Sequence, residues 1–168
     1  MSEPGPQEIV VSWVFDAPRE LVFRAFTDAG LVARWWVPAE EEELEVEELD
    51  PRPGGGWRFL NTDADGNTYS FRGVFHSVTP GRIVQTFEYG GMPGHVLLET
   101  LTFTDLGDGR TRLTDSSVFQ SVAARDAMAG GDDGGARDSM CRLAVLLAEL
   151  QSGSGPLGPG RGSRSGPG

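Results

Sequence analysis

Between Leu44 and Phe119 the chain reads as six strand segments in a row: "LEVEEL", "GWRFLNT", "TYSFRGVFHSV", "RIVQTFEY", "HVLLETLTFT" and "RTRLTDSSVF". Turn chemistry separates them, at Arg52 to Gly56, Asp65-Gly66, Pro80-Gly81, Gly90 to Gly94 and Asp108-Gly109. Every connection is short, whereas parallel neighbours need a crossover of about a dozen residues or more. An antiparallel meander is the expectation. Before it, "EIVVSWVFDAP" reads as one strand ending at Asp16, and Pro18 with Glu20 opens a helix whose apolar face is Leu21, Val22, Ala25 and Phe26. Thr27 and Asp28 break and recap the chain, and a second short helix, "AGLVARWW", ends at Pro38. After the meander, "ARDSMCRLAVLLAEL" puts Ala136, Met140, Leu143, Ala144, Leu147 and Leu150 on one helical face, with Asp138 and Arg142 an i,i+4 pair on another. The predicted fold is α+β: a curved antiparallel sheet of about seven strands wrapped around a long C-terminal helix, with two short helices after the first strand.

The domain is placed at residues 8–150. Residues 1–7 form a loose lead-in, and residues 151–168, with seven Gly, four Ser, three Pro and two Arg, form a tail too poor in apolar groups to order. No signal peptide and no 18-residue apolar run occurs, so the expected location is the cytoplasm. All fourteen basic residues are arginine, which closes the chemistries that need lysine: Walker-type phosphate loops, Schiff bases and lysine-anchored pyridoxal phosphate. Without the tail, 12 arginines face 25 acids, a net of −13, and such a surface repels nucleic acid and anionic membranes. Neither is expected as a partner. Cys141, the single cysteine, excludes an internal disulfide and reads as a small core residue in an apolar helical run.

Residues 33–59, "ARWWVPAEEEELEVEELDPRPGGGWRF", combine a tryptophan pair, seven glutamates among the nine residues Glu40 to Glu48, and a glycine elbow. The glutamates read as the solvated face of an edge strand with Leu44, Val46 and Leu49 turned inward. The run lacks the aspartate spacing and central glycine of a calcium loop, and no metal or cofactor is implied. The elbow lets Trp57 and Phe59 enter the next strand on one face.

The segments "VFDAPRELVFRAFTDAGLVARWWVP", "LDPRPGGGWRF", "YSFRGVFHSVTPGRIVQTFEY", "GHVLLETLTFTDLGDGRTRLT" and "SVFQSVAARD" resemble the bacterial homologues of the heat-shock chaperone ATPase activator, within the START-like, polyketide-cyclase-like superfamily. That resemblance implies a helix-grip fold, a seven-stranded sheet gripping a C-terminal helix with a cavity between. Trp35-Trp36-Val37-Pro38 departs from the family's WWGP-like motif, and the segment after it is more acidic than usual. Gly130, Gly131, Gly134 and Gly135 stand where the last helix should begin, and each costs roughly 0.5 to 1 kcal/mol against Ala in a helix interior. The first turns of that helix are expected to be frayed, kinked or mobile.

The chemistry follows strand parity. Trp57, Phe59, Tyr69, Phe71, Phe75, Phe87 and Tyr89 share the concave face, as a plain core or as the wall of a residual pocket. Trp35, Leu101, Phe103, Leu113, Met140 and Leu143 complete the expected binding set. The parity of Leu97 carries Glu99 inward, and that of Phe119 carries Asp115 inward. With a hairpin loop at Asp105 to Gly109, Glu99 lies opposite Asp115, and two carboxylates facing an apolar cavity would raise at least one pKa. His76 and His95 lack metal-site spacing, and no nucleophile elbow occurs.

The favoured expectation is a non-enzymatic module binding a small, largely apolar molecule. A polyketide-type cyclase, aromatase or hydratase is the alternative, with Glu99 or Asp115 as acid/base and Arg72 or His76 as oxyanion partner. The third is a chaperone-associated module, disfavoured because the eukaryotic activators carry a further N-terminal domain for which this chain has no room. A homodimer is left open. An apolar, carboxylate-poor pocket would favour binding, paired buried carboxylates an enzyme, and a large exposed apolar patch a protein partner.

Overall fold

The computed structural model describes residues 5–37, 39–129 and 134–153. Strand β1 (Glu8–Phe15) is followed by helices α1 (Arg19–Thr27) and α2 (Ala29–Trp35). Six more strands then run in turn, β2 (Glu43–Leu49), β3 (Gly56–Thr62), β4 (Thr68–Thr79), β5 (Arg82–Tyr89), β6 (Val96–Asp105) and β7 (Thr111–Val118), before α3 (Val122–Ala129) and α4 (Gly134–Ser152). The strands form one sheet in the order β1-β7-β6-β5-β4-β3-β2, antiparallel at every pairing. The meander is as its short turns demand, and β1 closes onto the last strand instead of its sequence neighbour. This is the helix-grip arrangement.

Asp28 performs both tasks expected of it: its N–H ends α1 on Arg24 O, and its carboxylate caps α2 at Leu31 N, 3.1 Å away. In β2 a bulge between Val46 and Glu48 inserts one residue, which is how Leu44, Val46 and Leu49 all face inward despite the odd spacing of the last pair. The glutamates at 43, 45, 47 and 48 are exposed. The glycine elbow is pinned to β4 by reciprocal bonds with Phe75, Gly54 N to Phe75 O at 2.9 Å and Phe75 N to Gly55 O at 2.8 Å. Gly54 has φ +82°, a left-handed conformation that glycine adopts without strain.

Several expectations are corrected. The hairpin between β6 and β7 turns at Leu106 to Arg110, with Asp105 paired to Thr111, one residue later than expected. Glu99 therefore stands opposite Ser117, and Asp115 opposite Leu101. A two-residue slip preserves parity, so both acids keep the concave face. The buried stripe of α4 is Ser139, Leu143, Leu146 and Leu147, flanked by Met140 and Leu150, while Ala136 and Ala144 are exposed. Cys141 is exposed, not core. Arg142 Nη2 donates to the Arg34 carbonyl at 3.1 Å, and no ion pair with Asp138 forms among the described residues. Helix α3, absent from the expected elements, is capped by Ser121 Oγ and packs Ala124 and Met128 on Leu97 and Phe119.

Gly134 and Gly135 are helical and open α4; Gly130 and Gly131 lie outside the described residues. The helix also extends two residues into the expected tail, with Gln151 Nε2 donating to Asp16 O at 2.8 Å. The rest of the tail, from 154, lies outside the described residues, as do Pro38 and residues 1–4.

Candidate functional site

A cavity of about 430 Å³ lies between the concave face of the sheet and the first half of α4, where Gly135, Ala136, Ser139 and Met140 line it. That volume falls in the ~300 to 1,000 Å³ range of small-molecule sites. The helix is held against α2 by Arg34 Nη2 to Glu149 Oε2 at 2.6 Å and by Ser139 Oγ to Trp36 O at 2.9 Å.

Of the expected binding set, Trp35, Trp57, Phe59, Phe71, Phe75, Phe87, Leu101, Leu113, Asp115 and Met140 line the cavity. Four do not. Phe103 meets Phe23 and Phe26 edge to face under α1, and Leu143, on α4, is fully buried in the core. Tyr69 and Tyr89 extend the aromatic row beyond the wall, Tyr89 stacked on Phe71 and Tyr69 OH donating to Asp63 Oδ2 at 3.0 Å. Trp35 is 3% exposed and its indole N–H donates to Ala25 O at 2.9 Å, so it serves the core and the wall together.

Trp36, which the sequence reading left unplaced, packs edge-on against Phe59 and Phe71. Trp57 lies across Gly73, where a Cβ would stand 2.3 Å from Nε1. Only glycine leaves room for the ring.

The polar floor is Glu99, Asp115 and Gln85. Gln85 Nε2 donates to Glu99 Oε2 at 2.6 Å, and Ser117 Oγ donates to Asp115 Oδ1 at 3.2 Å. Burial first, and then the Asp115 charge, push the Glu99 carboxyl well above its ordinary value, and the hydrogen bond between the two acids adds to the rise. Burial also raises Asp115, while bonds from Glu99 and Ser117 hold it back. Burial and their proximity thus hold both acids toward the protonated form and set the pair against carrying two charges. Both retain some accessible surface, but it faces the cavity.

Gln85 and Asn61 were missed, although each has the parity of its aromatic neighbours, Phe87 for one and Phe59 for the other. Asn61 is 8% exposed; its Nδ2 donates to Glu42 Oε2 at 2.7 Å and its Oδ1 has no partner. His76 and Arg72 are exposed on the convex face, Arg72 paired with Glu88 at 2.6 Å, so neither reaches the cavity as an oxyanion partner. Among the described residues no cluster suited to a metal occurs and no helix is long and apolar enough to cross a membrane.

A family model described as "Activator of Hsp90 ATPase homolog 1-like protein" matches residues 16–148. The chain belongs to this family. Solved structures of bacterial proteins share its fold. One from Rhodobacter sphaeroides is similar at 24% identity and TM-score 0.79, covering 89% of this chain and 97% of its own. Another, from Chromobacterium violaceum, is similar at 28% identity and TM-score 0.70, with coverages of 85% and 98%. A Silicibacter pomeroyi protein that itself bears the activator-homologue name aligns at 18% identity and TM-score 0.68, with coverages of 85% and 99%. No curated protein matches significantly. An activator-homologue domain of this fold is, in general terms, a ligand-binding or chaperone-associated module.

Proposed function

We propose that this activator-homologue domain binds a small, largely apolar molecule between the sheet and α4. The observation that carries the reading is the cavity itself: aromatic and aliphatic on most sides, covered by α4, and supplied with few polar groups, the cluster of Glu99, Asp115 and Gln85 and, apart from it, Asn61 and Ser139. Apolar walls supply affinity and a few convergent polar atoms supply orientation, which is the usual composition of such sites. Native mass spectrometry of the gently purified protein tests it. A bound mass in the small-molecule range, released by organic extraction, is expected. Failure to find one, together with failure of the neutral apolar dye Nile red to bind, would overturn the reading.

Two neighbouring cavity carboxyls, Glu99 and Asp115, both pushed up, favour a second reading, acid/base catalysis of a cyclisation or hydration. It ranks second because Arg72 and His76 stand on the opposite face of the sheet, leaving the acid pair without a cationic partner for a developing oxyanion. Asp115→Asn separates the two. Loss of turnover of a cyclisable polyketone with binding retained supports catalysis, whereas loss of binding supports an anchor.

A further inference from the structure

We infer that the ligand is a cation, a protonated amine on a small aromatic or alicyclic body, with its ammonium seated against Glu99 and Asp115. This rests on the binding reading above and adds the ligand's charge to it. Among the described lining residues, Glu99 and Asp115 are the ionisable ones, and no arginine or histidine joins them. The chain has no lysine at all. The negative charge on the cavity floor therefore has no counter-cation in the wall, an arrangement that costs free energy until a cation supplies it.

Asn61 adds an independent sign. With its amide nitrogen held by Glu42, its oxygen is a buried acceptor lacking a donor on β3, three strands from Glu99. Both of these spots ask for donors, while the Trp57 indole N–H, also buried without a partner, asks for an acceptor on the same molecule. The walls agree, since Trp36, Trp57, Phe59, Phe71 and Phe87 line the space and aromatic faces attract cations. An anion would meet like charge with nothing to neutralise it. A neutral alcohol would use the acceptors without the charge-assisted gain.

The charge balance is simple. Burial and like charge set the two acids against ionising together. An arriving ammonium meets the one charge the pair can carry, the other acid keeps its proton, and the cavity becomes neutral.

Isothermal titration calorimetry with tryptamine, tryptophol and indoleacetate, one indole body carrying a cation, a neutral hydroxyl or an anion, tests the inference near neutral pH. Tryptamine should bind roughly 10- to 100-fold more tightly than tryptophol, the margin of a charge-assisted over a neutral hydrogen bond. Indoleacetate should be weakest. Repeating the titration in buffers of different ionisation enthalpy should show less than one proton released per tryptamine and none per tryptophol.

The double variant Asp115→Asn, Glu99→Gln, which leaves no carboxylate in the cavity, should erase the preference for the amine; if it does not fold, the wild-type affinity order still decides. Equal affinity for all three, or tightest binding of indoleacetate, overturns the inference and leaves the cavity reading standing. So does binding of Nile red with none of the three indoles bound. If Nile red also fails to bind, the cavity reading itself falls and the inference with it.

Discussion

Glu88 on β5 and Glu99 on β6 stand on opposite faces of one sheet, on adjacent strands. Glu88 is 8% exposed, and Glu99 retains more surface than that. Exposure alone would make Glu88 the harder carboxylate to ionise. The reverse holds. Arg72 Nε donates to Glu88 at 2.6 Å and Gly94 N donates at 3.0 Å, and these bonds, the arginine's first, hold its carboxyl below the ordinary value. Glu99 has an acid for its neighbour and a cavity for its solvent, and its carboxyl is pushed up. What separates the two is the charge of the nearest ionisable neighbour and whether the remaining surface faces water. One sheet carries a carboxyl held down on its outer face and one pushed up on its inner face.

The largest test of that division concerns packing. Phe103, on the concave face, is 2% exposed, and Val74, on the convex face, is 52% exposed. Phe103→Ala should cost about 3 to 5 kcal/mol and Val74→Ala less than about 0.5 kcal/mol. Chemical denaturation measures both. Comparable losses would mean that the convex face is covered in solution and that the two faces are not distinct environments.

A smaller effect is expected at Glu99. Its folded pKa is raised, so its favourable contribution is present below the unfolded value of 4.5 and is lost as pH climbs toward the raised value. Glu99→Gln mimics the protonated acid, with an amide that can still donate to Asp115 and accept from Gln85. The variant should match wild type at acidic pH and exceed it as pH rises, by on the order of 1 kcal/mol in the alkaline range. A variant less stable than wild type at every pH would show that Glu99 is not under electrostatic strain.

The face assignments were legible in the sequence because parity survives errors of register. Placing the β6–β7 loop one residue early moved Glu99 opposite Asp115 instead of Ser117, yet both acids stayed inside, since a slip of two restores the same face. The helix was less forgiving. A stripe drawn through Ala136, Met140, Leu143, Ala144 and Leu147 favoured the alanines and missed Leu146, because in "LAVLLAEL" almost every residue is apolar and periodicity cannot choose among them. Packing against α1 and α2 chooses instead. Val145, 60% exposed, and Leu146, buried at the next position, measure the choice: Leu146→Ala should cost about 2 to 5 kcal/mol and Val145→Ala close to nothing.

Illegible altogether was the convex pairing of Arg72 and Glu88. The reading gave Arg72 a role in the cavity, although its parity differs from that of Phe71 and Phe75. The bulge between Phe75 and Ser77 likewise could not be read from residue types.

The smallest expected effect is at Glu88, and it sharpens the comparison because its sign is opposite. A carboxyl whose folded pKa is depressed adds stability above its unfolded value, here 4.5, and loses it as pH falls through the folded value. Arg72 and Gly94 N donate to different oxygens of Glu88; Glu88→Gln keeps one accepting oxygen and turns its amide nitrogen toward the other donor, much as the protonated acid turns its hydroxyl, so the change removes charge with little change of shape. Arg72 is largely exposed, and water screens much of the attraction. A small drop in melting temperature near neutral pH is therefore expected, shrinking to nothing in acid, where wild type has itself become neutral at this position. Circular dichroism melts of Glu88→Gln and Glu99→Gln across the same pH series would place the two differences from wild type on opposite sides of zero, both converging in acid. If the Glu88→Gln deficit instead persists undiminished in acid, the carboxylate acts through hydrogen-bond geometry at the Gly94 turn and not through charge, and the electrostatic contrast between the two faces rests on Glu99 and Asp115 alone.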